Sequence, residues 1–385
     1  MTQSQSNRWA LDAQYFLYFG VMGVFLPYFN LYCYDLGFSG WQIGTLSAVR
    51  SIVLVVFSIA WGLVADRFQK RRQIYILCNF ISAALWGLFL LTTSFAWMLA
   101  AIVAYGIFYS PLISFLEAFA MEVLGKEKRR YGRMRAWGSL AFIVVVLLLG
   151  RFIEVYSIKI IISLVLALSW VQALVALSFP KVAISPPRLF DEGMRRLFNR
   201  RVALFLSCAF LMLVSHGAYY AFFSIHLARL GYDGFFIGLC WAVGVAAEIV
   251  AMYSSPRIFK RFSYESVLTV SFAVAALRWT GLWLIDSAPG ILLLQLTHAM
   301  TYGTFHMASI LYMDVLAPPG TKTIGQAVNN AVTYGLGLMV GFFLSGALYE
   351  IMPVSRLFAV SALFAVAGGL IFRGFVSARR ANPQA

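Results

Sequence analysis

Charge is scarce in this sequence: only 12% of its 385 residues are Asp, Glu, Lys or Arg. Soluble domains carry about 25%, and the shortfall excludes a soluble enzyme and a disordered chain. Acids are the scarcer sign, 15 against 30 basic residues. The four cysteines, Cys33, Cys78, Cys208 and Cys240, each lie inside an apolar run, and none forms a C-x-x-C pair. That excludes a disulfide scaffold or a cysteine metal site and reads as small core hydrophobes. No G-x-x-x-x-G-K-[ST] loop is present, which argues against ATP as a direct power source. H-E-x-x-H and G-x-S-x-G are absent too, which argues against a protease or hydrolase. The first nine residues are mostly polar and the first apolar run has no small-residue cleavage site, so no cleaved signal peptide is expected.

What the chain does have is apolar length. Hydrophobic residues make up 61%, and the mean hydropathy is +0.81. A bilayer crossing takes about 20 apolar residues, so twelve would consume about 240 and leave only short loops. Twelve apolar runs of helical length are found, at 10–34, 42–64, 73–93, 96–121, 134–153, 158–179, 202–227, 235–255, 265–285, 288–315, 323–348 and 355–376. The expected fold class is therefore an all-α polytopic membrane protein with twelve transmembrane helices.

The formal net charge of +15 would suit nucleic acid if it formed one patch. It does not, because the basic residues sit in short clusters between apolar runs. The lipid bilayer, not nucleic acid, is the expected partner. With both termini placed in the cytoplasm, 23 Lys and Arg fall on that side and only Arg151, Lys159, Arg229 and Arg356 on the other. The positive-inside rule selects that orientation.

The two halves repeat. Residues 36–44 read LGFSGWQIG and 230–238 read LGYDGFFIG; residues 67–71 read RFQKR and 257–261 read RIFKR. The offsets, 194 and 190, are nearly equal, and both pairs bracket spans 2 and 8. A duplicated six-helix unit follows: an N-terminal bundle over 1–179, a cytoplasmic linker over 180–201, and a C-terminal bundle over 202–385. A parallel repeat of this kind implies two pseudo-symmetric bundles that hold a substrate near the bilayer midplane.

The loop after span 2, Gly62-Leu-Val-Ala-Asp66-Arg67-Phe-Gln-Lys70-Arg71-Arg72, resembles the G-x-x-x-D-R-x-x-[RK]-[RK] signature of the major facilitator superfamily. The resemblance covers the whole chain and implies that superfamily's fold, with Gly62, Asp66, Arg67, Lys70 and Arg71 as a cytoplasmic gate motif. The second copy, Ser-Ser-Pro-Arg257-Ile-Phe-Lys260-Arg261, lacks the glycine and the acid. Gly23-Val-Phe-Leu-Pro27, His216-Gly-Ala-Tyr-Tyr220, Gly244-Val-Ala-Ala-Glu248, Leu277-Arg278-Trp279 and Gln295-Leu-Thr-His298 are similar to the bacterial phenylpropionate permease branch. That branch is related to the lactose permease and the nucleoside–proton symporters. The likeness implies a proton symporter that imports a small organic solute across the bacterial inner membrane, powered by the proton gradient without a cofactor, with a monomer as the default state.

A charge inside a bilayer costs several kcal/mol, so each one needs a partner or a task. Glu248, Arg278, His298 and His306 fall in spans 8, 9 and 10, and His298, Tyr302 and His306 follow an i, i+4, i+8 spacing that puts them on one helix face. They resemble the acid–arginine–histidine set of the lactose permease, with Thr301 where that permease has a second acid. Two readings stand: proton coupling or substrate binding, and a static buried ion pair. Burial favours the neutral acid at Glu248 while Arg278 favours the carboxylate. Glu117 and Arg135, 18 residues apart, with Phe142, resemble the sugar-binding acid, arginine and stacking aromatic of the lactose permease. Ligand contact and simple anchoring of span 5 by Arg135 both stay open. Arg8 and Asp12 suit a local i, i+4 pair, and Arg50 either faces a cavity or snorkels outward. Tyr15, Phe16, Tyr18 and Phe19, with Tyr219 and Tyr220, form an expected aromatic wall that suits a planar aromatic acid better than a bare sugar.

An aromatic carboxylate such as a phenylpropionate is the favoured solute. A sugar or nucleoside symporter is the alternative, and a non-transporting intramembrane receptor or enzyme is a more distant one.

Overall fold

The computed structural model describes residues 3–179, 197, 199–318 and 320–381. Among them there is no strand, and the helices form twelve rods that match the twelve apolar runs. They are α1 (Gln3–Asp35), α2 (Gly40–Phe68), α3 (Arg71–Leu90), α4 (Phe95–Leu124), α5 (Tyr131–Tyr156), and α6 (Ile160–Ala176). The second six are α7 (Arg200–Arg229), α8 (Gly234–Arg261), α9 (Tyr264–Leu284), α10, α11 (Lys322–Tyr349) and α12 (Val354–Ala381). The tenth rod, α10, is composite: Ala288–Leu296, a π-helical turn Ala299–Thr304, and Phe305–Leu316. Ten rods are long and apolar enough to cross a membrane by length and composition; α6 is shorter, and α10 is broken near Thr297.

Local chemistry explains several boundaries. Ser39 and Gln42 form a reciprocal capping box that starts α2, and Gln69, at φ +52°, ends it in the left-handed region. Asn199 caps α7 by accepting from Arg201 N and Val202 N, both at 3.0 Å. Most of the linker expected over 180–201 lies outside the described residues. Pro111 sits at the first position of the second half of α4, where its missing N–H costs nothing.

Contacts cluster into two units, Met1–Pro186 with Gly231–Ala242, and Pro187–Leu230 with Val243–Ala385. In the first unit α1 packs on α5 and α6, and α3 on α4 and α6. Its interior is aromatic, with Trp86 against Phe25, Phe29, Phe89 and Tyr105. The start of α8 joins this unit at a close backbone approach. A Cβ on Gly238 would meet Val146 O at 2.5 Å, and Tyr28 Oη donates to Val146 O and Gly234 O at 2.9 and 3.2 Å. In the second unit α9 packs on α12, and α7 on α12 and α11. There Gly341 lets α11 approach α7, because a Cβ would stand 2.6 Å from Val214 O. The four cysteines are buried and unpaired. Large apolar side chains such as Leu277, Leu293 and Leu363 stay exposed, as expected where the neighbours are lipid chains.

Candidate functional site

The second unit concentrates its polar chemistry in one cluster. Arg278 of α9 is fully buried. Its Nη1 donates to His298 Nδ1 at 2.6 Å and to Thr301 Oγ1 at 3.1 Å, and its Nη2 donates to Gln295 Oε1 at 2.9 Å. On the other edge of the imidazole, His298 Nε2 lies 2.6 Å from Glu248 Oε1. Arg278 has only donors, so Nδ1 must be the acceptor and the ring proton must sit on Nε2. His298 is thus a neutral imidazole that receives from the arginine and donates to Glu248. The buried cation is balanced through the ring by the Glu248 carboxylate. Sequence reasoning expected Arg278 to act on Glu248 directly; the structure places His298 between them.

Aromatic residues enclose this chain. The Arg278 guanidinium lies 4.3 Å from the Tyr219 ring centre and 4.8 Å from that of Trp279. Tyr219 Oη donates to Gln295 Oε1 at 3.0 Å. Trp279 Nε1 donates to Ser215 Oγ, and His216, at the break in α7, presents its ring edge-on to Trp279. Tyr220 approaches both His298 and Tyr302. The rings of His298, Tyr302 and His306 stack along α10, 5.3 and 6.1 Å apart. His306 is joined to Tyr334 of α11 at 2.6 Å and has Glu248 within electrostatic reach. Both π-helical turns, Ala299–Thr304 and Ala331–Gly337, lie in this region, a common association for π turns. Sequence reasoning missed Tyr334 and the roles of Gln295 and Thr301. The i, i+3 spacing of Gln295, His298 and Thr301 was the available signal.

Glu117, Arg135 and Phe142 belong to the first unit. Tyr131 Oη donates to Glu117 Oε1 at 3.4 Å. Arg135 lies flat on Phe19, 3.8 Å from its centre, within electrostatic reach of Glu117 but without an ion pair to it. Phe142 is buried, and its backbone packs against Gly23. Tyr219 and Tyr220 stand instead with Arg278 in the second unit. Arg8 pairs with Glu127 of the α4–α5 connection at 2.9 Å and keeps Asp12 within electrostatic reach, without an ion pair to it.

At the end of α2, Asp66 pairs with Arg71, the first residue of α3. Gln69 closes the turn by donating to Asp66 O at 2.6 Å. Arg67 and Lys70 lie toward the surface, and Gly62 has open space where a side chain would project. Asp314 pairs with Lys322 at 2.7 Å across the α10–α11 connection. A cavity of about 640 Å³ on α8, α9 and α10, lined by residues such as Val250, Ile258, Val270 and Met300, is apolar and contains none of the charged groups. Among the described residues, no group of three His, Cys, Asp or Glu is placed to hold a metal ion.

Known proteins share this arrangement of helices. The model of the MFS_1 like family matches residues 8–360. The "Probable 3-phenylpropionic acid transporter" of Escherichia coli K12 is 27% identical over 379 residues, 94% of this chain and 97% of that protein. The maltose permease of Geobacillus stearothermophilus is 24% identical over 362 residues, covering 93% and 91%. A crystal structure of the nucleoside transporter NupG superposes with TM-score 0.85 at 18% identity, covering 97% of this chain and 99% of that one.

Proposed function

The chain belongs to the MFS_1 like family of multi-pass membrane transporters, and from that premise we propose a proton symporter that imports a small organic solute, an aromatic carboxylate foremost. The observation that carries the proton-coupled reading is the Arg278–His298–Glu248 chain. A static ion pair needs no titratable ring between its charges. Here a proton gained by Glu248 removes the charge that balances Arg278, so protonation and the packing of α8, α9 and α10 depend on each other. The energy source is the proton gradient, with no cofactor. The substrate group of this reading is Glu117, Arg135, Phe142, Tyr219 and Tyr220; the coupling group is Glu248, Arg278, His298 and His306. Support for the substrate class comes from the rings around both arginine sites and from the 3-phenylpropionic acid named for the E. coli relative. The maltose permease and the nucleoside transporter keep sugars and nucleosides as the alternative. Gly62, Asp66, Arg67, Lys70 and Arg71 form the cytoplasmic gate, and the protein acts as a monomer in a bacterial inner membrane.

The coupling is tested in proteoliposomes. Glu248→Gln is expected to abolish uphill accumulation driven by a pH gradient while labelled solute still exchanges for unlabelled. Retained accumulation would remove Glu248 from the coupling path, and loss of exchange as well would assign it to binding or structure.

A further inference from the structure

The three intramembrane arginines differ in what they are bonded to. Arg278 has both of its Nη atoms engaged, by His298, Thr301 and Gln295, with only Nε left unpartnered. Arg135 has Glu117 within electrostatic reach. Arg50 has neither kind of partner. It lies ten residues from the start of α2, about 15 Å along the helix, and is only partly exposed. Its Nη2 reaches the Met22 thioether at 3.7 Å, a weak acceptor, and its Nε is buried without a hydrogen-bond partner. Among the described residues no carboxylate pairs with it; two acids of its unit are engaged elsewhere, Asp66 by Arg71 and Glu117 by Tyr131.

Its surroundings are aromatic. The guanidinium stands 4.2 Å from the Phe25 ring centre, and Tyr18, Tyr105 and Tyr109 gather around it. Tyr109 stacks on Tyr18 at 5.3 Å and on Tyr105 at 4.8 Å. An unbalanced cation within the bilayer is costly to keep. A guanidinium fork with an unpartnered Nε and only a thioether on Nη2 matches the two oxygens of one carboxylate, and the neighbouring rings match an aryl group attached to it. We infer that Arg50 is a binding subsite of the first unit for the carboxylate of an arylalkanoate monoanion, with Phe25, Tyr18, Tyr105 and Tyr109 around its apolar part. This rests on the proposed symport of an aromatic acid and gives its carboxylate to Arg50, with Arg135 serving the remainder of the solute.

The test compares binding of 3-phenylpropionate, its neutral amide 3-phenylpropanamide, and uridine to the purified full-length protein, as wild type, Arg50→Gln, Arg50→Lys and Arg135→Lys. The wild type is expected to prefer the acid to the amide. Arg50→Gln should weaken the acid by about tenfold or more and leave the amide unchanged. Arg50→Lys should recover part of the loss, and Arg135→Lys, at a residue of the substrate group, should weaken acid and amide alike. Amide binding serves as the check that each Arg50 variant is folded; if Arg50→Gln loses it, Arg50→Lys takes its place in the comparison. An acid preference that persists in Arg50→Gln, or in Arg50→Lys at full strength, overturns the assignment alone. A wild type that binds uridine and ignores the acid overturns both the assignment and the substrate class it rests on.

Discussion

At the residue scale, His298 decides how the second unit balances its charges. The imidazole accepts at Nδ1 and donates at Nε2 at the same time, a combination that a glutamine amide can imitate and an aliphatic residue cannot. If the proton is carried by Glu248 and the ring only bridges, His298→Gln should keep accumulation driven by a pH gradient within about threefold of wild type. His298→Leu should abolish it, because two buried charges lose their shared partner, a loss of about 3–5 kcal/mol in buried pairs generally. Solute accumulation in proteoliposomes checks both. Loss of uphill transport in His298→Gln with exchange intact would move the carried proton onto the ring. That Glu248, Arg278 and His298 occupy successive spans is legible in the sequence because charged residues are so rare there. Which two of them touch is not, since a helix spacing fixes a face but not the depth at which two helices meet. Arg50 is ambiguous for the same reason: only its burial against Phe25 in three dimensions separates an inward-facing arginine from one that snorkels.

At the scale of elements, rods are easy to read and their irregularities are not. Continuous apolar runs bounded by Ser39, Asn199 and Ser263 caps mark where helices begin. The π-helical turns in α10 and α11 leave no such mark, because a widened turn is set by packing and by polar partners from other helices. The loop between α2 and α3 is legible for a different reason, as its acid and bases are adjacent in sequence. Asp66 is held by Arg71 and the turn is shut by Gln69, so the acid fixes how α2 hands over to α3. Both side chains are largely shielded, 17% and 13% exposed, but an asparagine amide oxygen can still accept from Arg71. Asp66→Asn should therefore leave the melting temperature nearly unchanged and substrate affinity within a few-fold, yet slow uptake by about tenfold if this turn gates a conformational step. Uptake rate and thermal stability measured on the same preparation separate a gate from a brace; an unaltered rate would remove the gate role.

At the scale of the whole molecule, composition and repetition carry most of the fold. Twelve apolar runs become twelve rods because a bilayer leaves the backbone no other way to satisfy its hydrogen bonds than helices or a closed barrel. The substrate is not legible at this scale, since sugars, nucleosides and aromatic acids all accept an arginine, an acid and a ring of aromatics. Orientation is a property of the entire chain, and it rests on charge alone: the clusters that end α2 and α8, with those of the other inner loops, hold 23 Lys and Arg, while the opposite loops hold four. That bias is what the proposed orientation rests on. With both ends inside, a fluorescent protein fused after Ala385 should fluoresce, and an alkaline phosphatase fused there should stay inactive. Phosphatase fused after Ser157, in the α5–α6 connection, should be active. An active phosphatase at the C-terminus would invert the topology, and with it the assignment of the Asp66 turn to the cytoplasmic face.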